Sequence, residues 1–111
     1  MNNEKICVLG AGGWGTTLAV HLCKKGFAVS LWEAFSDYAE VLIKQRKNPK
    51  FLSGIDLPDE IHITSKIDEA ISKASLVVYA VPSHVMREVA KSSHVPEGVV
   101  KLSVAKGIEI V

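Results

Sequence analysis

Residues 10–15 read Gly10-Ala11-Gly12-Gly13-Trp14-Gly15, which sets three glycines at GxGxxG spacing. The spacing carries chemistry only in one context, with a strand before it and a helix after it. In that context each glycine has its own task. Gly10 permits the tight turn, Gly12 lets the backbone approach a pyrophosphate, and Gly15 lets the helix pack close to the strand. The free N–H groups and the positive end of the helix dipole then face an anion. Glu33 follows Gly15 by 18 residues. A carboxylate at that distance can accept hydrogen bonds from ribose hydroxyls and repel a 2′-phosphate. Together these residues read as a site for a dinucleotide, against the alternative of a glycine-rich turn in a generic α/β sheet. Lys106, read from its surroundings alone, is an ordinary exposed lysine, although an ammonium there could steady an oxyanion.

The elements needed to position these residues are present. Lys5 to Leu9 is a short apolar run that predicts a buried strand ending on Gly10. Helical spacing follows from Trp14 to Lys25, with Leu18, Ala19 and Leu22 on one stripe and Gly26 as the stop. Ala28 to Trp32 predicts a second strand that places Glu33 at its tip. Ser36 is expected to cap a helix through Tyr38, Val41, Leu42 and Gln45. Asn48 to Pro58 is expected to break regular structure, with two prolines and a glycine. Ile61 to Thr64 predicts a strand, and Thr64 or Ser65 a cap for a helix carrying Ile67, Ala70 and Ile71. Leu76 to Val81 is expected to be a central strand, Ser83 to Lys91 a helix, and Val99 to Ala105 the last strand. Five strands alternating with four helices predict an α/β, doubly wound, mostly parallel sheet of Rossmann type in three layers.

Composition narrows the function classes. The 111 residues are 48% hydrophobic and 23% charged, an ordinary globular balance for one domain. A net charge of +1 offers no field for nucleic acid or an anionic membrane. No apolar run approaches the ~18 residues of a membrane span, and no signal peptide is recognisable. Cys7 and Cys23 lack metal-ligand spacing and read as buried thiols of a reducing, cytoplasmic compartment. There is no paired-carboxylate, Ser/His/Asp or metal-ligand pattern.

Five collinear motifs carry a resemblance. Tryptophan at the fifth place of the glycine loop resembles NAD(P)-dependent glycerol-3-phosphate dehydrogenase, N-terminal cofactor-binding domain. Leu31-Trp32 ends the second strand as in that family. Residues Asn48-Pro49-Lys50-Phe51-Leu52-Ser53-Gly54-Ile55-Asp56-Leu57-Pro58 are similar to its Asn-Pro loop. Ala80-Val81-Pro82-Ser83 with Arg87, and Ala105-Lys106-Gly107-Ile108-Glu109, complete the set.

The resemblance implies interconversion of dihydroxyacetone phosphate and sn-glycerol 3-phosphate with NADH or NADPH. It implies cofactor contacts from Gly10, Gly12, Gly13, Trp14, Gly15, Glu33, Ala34, Phe51, Pro82 and Val85. It also implies that Lys106 touches both cofactor and substrate. Members of the family often carry arginine or histidine just after Trp32, where Glu33 and Ala34 stand here, so NAD is expected and NADP is the alternative. Ser53 replaces a proline of the family's loop, and Ala105 a threonine or serine.

In the resembled family the general acid/base lysine and most phosphate-binding groups lie in a C-terminal helical domain. Residues 1–111 are therefore expected to be the N-terminal dinucleotide-binding domain, incomplete, with no catalytic residue of its own and with a homodimer formed at full length. The competing readings are a free-standing NAD(H)-binding sensor and the cofactor domain of a related small-hydroxy-acid dehydrogenase. His21, His62 and His94 are expected to be bystanders, with no acidic partners in sequence for His62 and His94. His84 and Arg87 lie nearer the expected site. Asp68 and Glu69 are expected to be solvated charges of a first helical turn.

Overall fold

Short β-branched runs separated by amphipathic stretches can bury their apolar surface together only if strands lie side by side with helices over both faces. The structure is a computed structural model and describes residues 4–92, 94–104 and 109–110. In chain order the elements are β1 (Lys5–Leu9), α1 (Gly13–Lys24), β2 (Ala28–Trp32), α2 (Ser36–Gln45), β3 (Lys47–Asn48), β4 (Leu52–Asp56), β5 (His62–Thr64), α3 (Ile67–Ile71), β6 (Leu76–Tyr79), α4 (Ser83–Ser92), β7 (Val100–Ser103) and β8 (Glu109–Ile110).

The main sheet runs β5-β2-β1-β6-β7-β8. Its first five strands are parallel, and β8 returns antiparallel against β7. Strand β1 is central, with Val8 opposite Leu31 on one side and Val78 on the other. The chain order reverses between β1 and β6, which makes their carboxyl ends a topological switch point. Alternation along the strands divides the core between the two faces. Val8, Val29, Leu31 and Ile63 face Ala19, Val20 and Leu42 from α1 and α2. Cys7, Leu9, Val77 and Tyr79 face Ala70, Ile71 and Val89 from α3 and α4. The doubly wound, three-layer architecture is therefore the one read from the sequence.

Helix α1 closes as its basic last turn and Gly26 predict. The Gly26 N–H donates to the Cys23 carbonyl at 3.0 Å and the Phe27 N–H to that of Leu22 at 3.2 Å, the paired bonds that end a helix on a left-handed residue. Several local expectations need correction. Ser36 is the first residue of α2 and does not cap it; Phe35 holds the cap position, with no side-chain cap bond. Neither Thr64 nor Ser65 caps α3, where Lys66 stands at that place. Thr64 Oγ1 instead accepts from the Lys66 N–H at 3.0 Å, one step ahead of the helix. Residues 48–58 are only partly irregular: around a turn at 49–51, β3 and β4 pair antiparallel as a small hairpin with a register shift at Lys47/Asn48. The last predicted strand is shorter than expected, with β7 covering Val100–Ser103.

Candidate functional site

A cavity of about 650 Å³ opens at the switch point. Its floor comes from Gly10, Ala11 and Gly12 after β1 and from Ala80, Val81 and Pro82 after β6. Trp32, Glu33, Ala34 and Phe35 form the wall after β2, and Tyr38 and Val41 of α2 continue it. Lys50 and Phe51 of the hairpin face them, and Val85 of α4 closes the remaining side.

The glycine loop is shaped by contacts that glycine alone allows at two of its positions. Gly10 has φ +122°, and a Cβ there would lie 2.8 Å from the Ala80 carbonyl oxygen. At Gly15 a Cβ would fall 1.8 Å from the Gly10 carbonyl oxygen. Gly15 is therefore where α1 is pulled against the end of β1. Gly12 differs. Its φ of −75° suits any residue, and a Cβ there would meet nothing within 4 Å. The fold itself has no need of glycine at position 12. What glycine leaves there is an open approach to the first turn of α1, whose N–H groups have no intrahelical partners.

Glu33 is only 8% exposed at the tip of β2. Its Oε2 accepts the Phe35 N–H at 2.9 Å, and its own N–H donates to the Thr64 carbonyl at 3.0 Å. The carboxylate is thus oriented in the cavity wall, while Ala34 and Phe35 are exposed beside it. Trp32 donates its indole N–H to the Ser65 carbonyl at 3.0 Å and packs on the core of the α3–α4 face.

Of the residues singled out in the sequence, Gly10, Gly12, Glu33, Ala34, Phe51, Pro82 and Val85 meet in this one cavity. Gly15 lies buried behind it. Gly13 sits under the hairpin, where a Cβ would approach the Phe51 carbonyl oxygen to 3.1 Å. Trp14 is 75% exposed and outside the cavity walls. Lys106 lies outside the described residues.

Asn48 enters as a residue to which the sequence assigned no task. It is fully buried, and its Nδ2 donates to the Ala11 carbonyl and to Thr16 Oγ1, both at 2.8 Å. Its Oδ1 accepts from the Tyr38 hydroxyl and from the Phe51 N–H. The Asn-Pro pair was visible as a motif; the partners of its amide lie too far away in sequence to be read there.

Asp37 of α2 also lines the cavity, while His21, His62 and the two cysteines lie outside its walls. His62 Nε2 stands 2.6 Å from Glu69 Oε1, which corrects the expectation that His62 has no acidic partner. Both side chains are about half exposed, and such a surface pair contributes little to stability. His21 is exposed on α1. Burial pushes the Cys7 thiol from 9.0 up to about 11, so at neutral pH it packs as a small protonated hydrophobe. Burial, then the nearby Glu60 carboxylate, raises the Cys23 thiol as well. Among the described residues no group of three or more His, Cys, Asp or Glu could hold a metal ion, and no helix is long and apolar enough to cross a membrane.

The profile of the family described as NAD-dependent glycerol-3-phosphate dehydrogenase N-terminus matches residues 5–110. The chain belongs to this family. It is 47% identical over 107 residues to a protein of Pelotomaculum thermopropionicum named glycerol-3-phosphate dehydrogenase [NAD(P)+], a match covering 95% of this chain and 31% of that protein. A protein of the same name from Chlorobium limicola is also 47% identical, over 95% of this chain and 32% of its own length. The chain thus spans about a third of the length of these relatives. Among solved structures, glycerol-3-phosphate dehydrogenase from Coxiella burnetii superposes with a TM-score of 0.75 at 30% identity, covering 78% of this chain and 27% of that one. The yeast enzyme, from Saccharomyces cerevisiae, gives a TM-score of 0.79 at 24% identity over 98% of this chain and 37% of its own, a likeness of fold.

Proposed function

We propose that this chain is the cofactor-binding domain of an NAD(P)-dependent glycerol-3-phosphate dehydrogenase, holding the dinucleotide while hydride passes between it and dihydroxyacetone phosphate or sn-glycerol 3-phosphate. The observation that carries the reading is Gly12. The loop around it is fixed by internal contacts at Gly10 and Gly15, yet Gly12 itself faces open space at the start of α1. A backbone left bare at a helix N-terminus is what close approach of a pyrophosphate requires. The family membership and the cavity at the switch point support the same reading.

In this reading Gly12 and the first turn of α1 would hold the pyrophosphate, and Glu33 would accept hydrogen bonds from the adenosine ribose. Gly10, Ala34, Phe51, Pro82 and Val85 would complete the cofactor contacts in the cavity, with Gly13 and Trp14 at the exposed start of α1 reaching the cofactor from outside its walls and Gly15 serving by holding α1 against β1. The bound nicotinamide supplies or accepts hydride. The protein's part is to orient the dinucleotide, to exclude water with the apolar walls around Val81 and Val85, and to select its ribose. Lys106 steadies the substrate carbonyl oxygen. Glu33 favours NAD, since a 2′-phosphate beside a buried carboxylate meets like charge. The groups that supply and remove the substrate proton belong to the part of the enzyme beyond these 111 residues, and the whole enzyme works as a homodimer.

Titration of the purified chain with NADH and NADPH, followed by the fluorescence of Trp14 and Trp32, tests the reading. NADH is expected to bind more tightly than NADPH, and dihydroxyacetone phosphate is expected to remain unreduced. Absence of binding by either cofactor overturns the dinucleotide assignment. Tighter binding of NADPH overturns the role of Glu33, and turnover by the chain alone overturns the division of labour.

A further inference from the structure

The hairpin carrying Lys50 and Phe51 has little of its own to hold it against the cavity. Residues 53–56 are exposed, and Phe51 is 54% exposed. Exposed hairpins with few buried apolar contacts open at low free energy. Leu57, buried in the core, anchors the end of β4, and a buried polar group, Asn48, fastens the turn. The Asn48 carboxamide uses its full hydrogen-bonding capacity, two donations and two acceptances. The donations reach across to the glycine loop at Ala11 and to α1 at Thr16. The acceptances gather Tyr38 of α2 and the backbone of Phe51.

Tyr38 extends the fastening. Its hydroxyl oxygen accepts the Lys50 N–H at 3.1 Å, its ring meets Phe51 edge-on at 6.2 Å, and the Lys50 ammonium lies 5.3 Å from its ring centroid. Ala11, Tyr38, Lys50 and Phe51 all line the cavity. The Asn48 amide therefore joins the loop beneath the cavity to the flap above it.

We propose that Asn48 is a positioning residue for the dinucleotide, holding Phe51 directly and Lys50 through Tyr38 over the bound cofactor. The proposal rests on the dinucleotide reading of the site. In it, the amide fixes the height of the flap above Gly12 and Gly13. The cation of Lys50 then faces the phosphates, and the Phe51 ring covers the adenosine side. A flap held in place before binding loses less conformational freedom when the ligand enters.

The test is a set of NADH titrations on the 111-residue chain, with thermal melts of each variant. Tyr38→Phe keeps the ring and removes only the hydroxyl bridge between Asn48 and Lys50. It is expected to melt close to the wild type and to bind NADH about three- to tenfold more weakly. Asn48→Ala is expected to weaken binding by about tenfold or more. In a chain already carrying Lys50→Ala and Phe51→Ala, adding Asn48→Ala should change NADH affinity less than about twofold, because the groups it positions are gone.

An undiminished effect of Asn48→Ala in that background overturns the proposal and makes Asn48 a support of the glycine loop alone. Wild-type affinity in Tyr38→Phe overturns it even if Asn48→Ala fails to fold. A wild-type chain that binds no NADH overturns the dinucleotide reading itself, a result distinct from both.

Discussion

Gly12→Ala separates what the fold needs from what a ligand needs. Position 12 has backbone angles φ −75° and ψ −169°, which alanine adopts without strain, and the added methyl meets no protein atom within 4 Å. Two small terms act on stability. Alanine is a poorer N-cap than glycine, by roughly 0.5–1 kcal/mol. It also restricts the unfolded chain, which stabilises the native state by about 0.4–1 kcal/mol. These nearly cancel, so the melting temperature should move by no more than a few degrees. Binding should respond differently. The methyl occupies the approach to the first turn of α1, where a pyrophosphate would take its backbone N–H bonds. Losing one charge-assisted bond costs about 1.5–3 kcal/mol, which is roughly a 10- to 150-fold rise in Kd. Differential scanning fluorimetry and NADH titration on one preparation give both numbers. Wild-type NADH affinity in a folded Gly12→Ala chain would refute the reasoning, because the pyrophosphate would then not rest on this loop.

Gly15→Ala should behave in the opposite way. Its methyl overlaps the Gly10 carbonyl oxygen at 1.8 Å. Overpacking of about 3 kcal/mol, less about 1 kcal/mol of improved helix propensity, leaves a loss of about 2 kcal/mol, seen as a drop of roughly 10 °C in Tm. Glu33→Gln keeps an acceptor for the Phe35 N–H and removes the charge. The ratio of NADPH to NADH affinity, measured by fluorescence titration, should rise about tenfold. Cys7 should resist alkylation by iodoacetamide in the native chain and react on unfolding, read by mass spectrometry. Its thiol titrates at about 11 when folded against 9.0 unfolded. The unfolded chain therefore loses that proton first, so this contribution is whole below pH 9 and falls between pH 9 and 11. Denaturant melts should show a decline of about 2 kcal/mol across that window, absent from Cys7→Ala.

The central features of this fold are written in local chemistry, and the residues that assemble the site's far wall are not. The strand–loop–helix unit from Lys5 to Lys24 announces itself because its period changes from continuous apolar to helical across a run of glycines. Glu33 is legible because it ends a strand. The hairpin at 47–56 has no such signature. Strand β4 faces solvent along most of its length, so no alternation marks it, and its partner β3 is two residues long. What holds its turn is the Asn48 amide, bonded to residues 32 and 37 positions earlier in the chain. The helix caps misled for a related reason. Phe35 at the start of α2 gives its N–H to Glu33 Oε2, and Lys66 at the start of α3 gives its own to Thr64 Oγ1. A side chain that serves the turn ahead of a helix leaves no cap to be read in the expected place. The pairing of His62 with Glu69 arises only once α3 folds back beside β5.

The seam between β1 and β6 has a further consequence for the life of the chain. These neighbours are about 70 residues apart in sequence, with Ile6 opposite Leu76 and Leu9 opposite Tyr79. Chain emerging from a ribosome can form β1, α1 and β2 early, glycine loop included. Half of the cavity floor is still missing until Ala80, Val81 and Pro82 arrive with β6. A ligand resting on that floor would span the join between the first-made strand and one completed about 70 residues later. Saturation with NADH would then oppose global unfolding, by about 2.7 kcal/mol at a hundred times Kd. Occupancy would thus report that the longest-range pairing of the sheet has been completed.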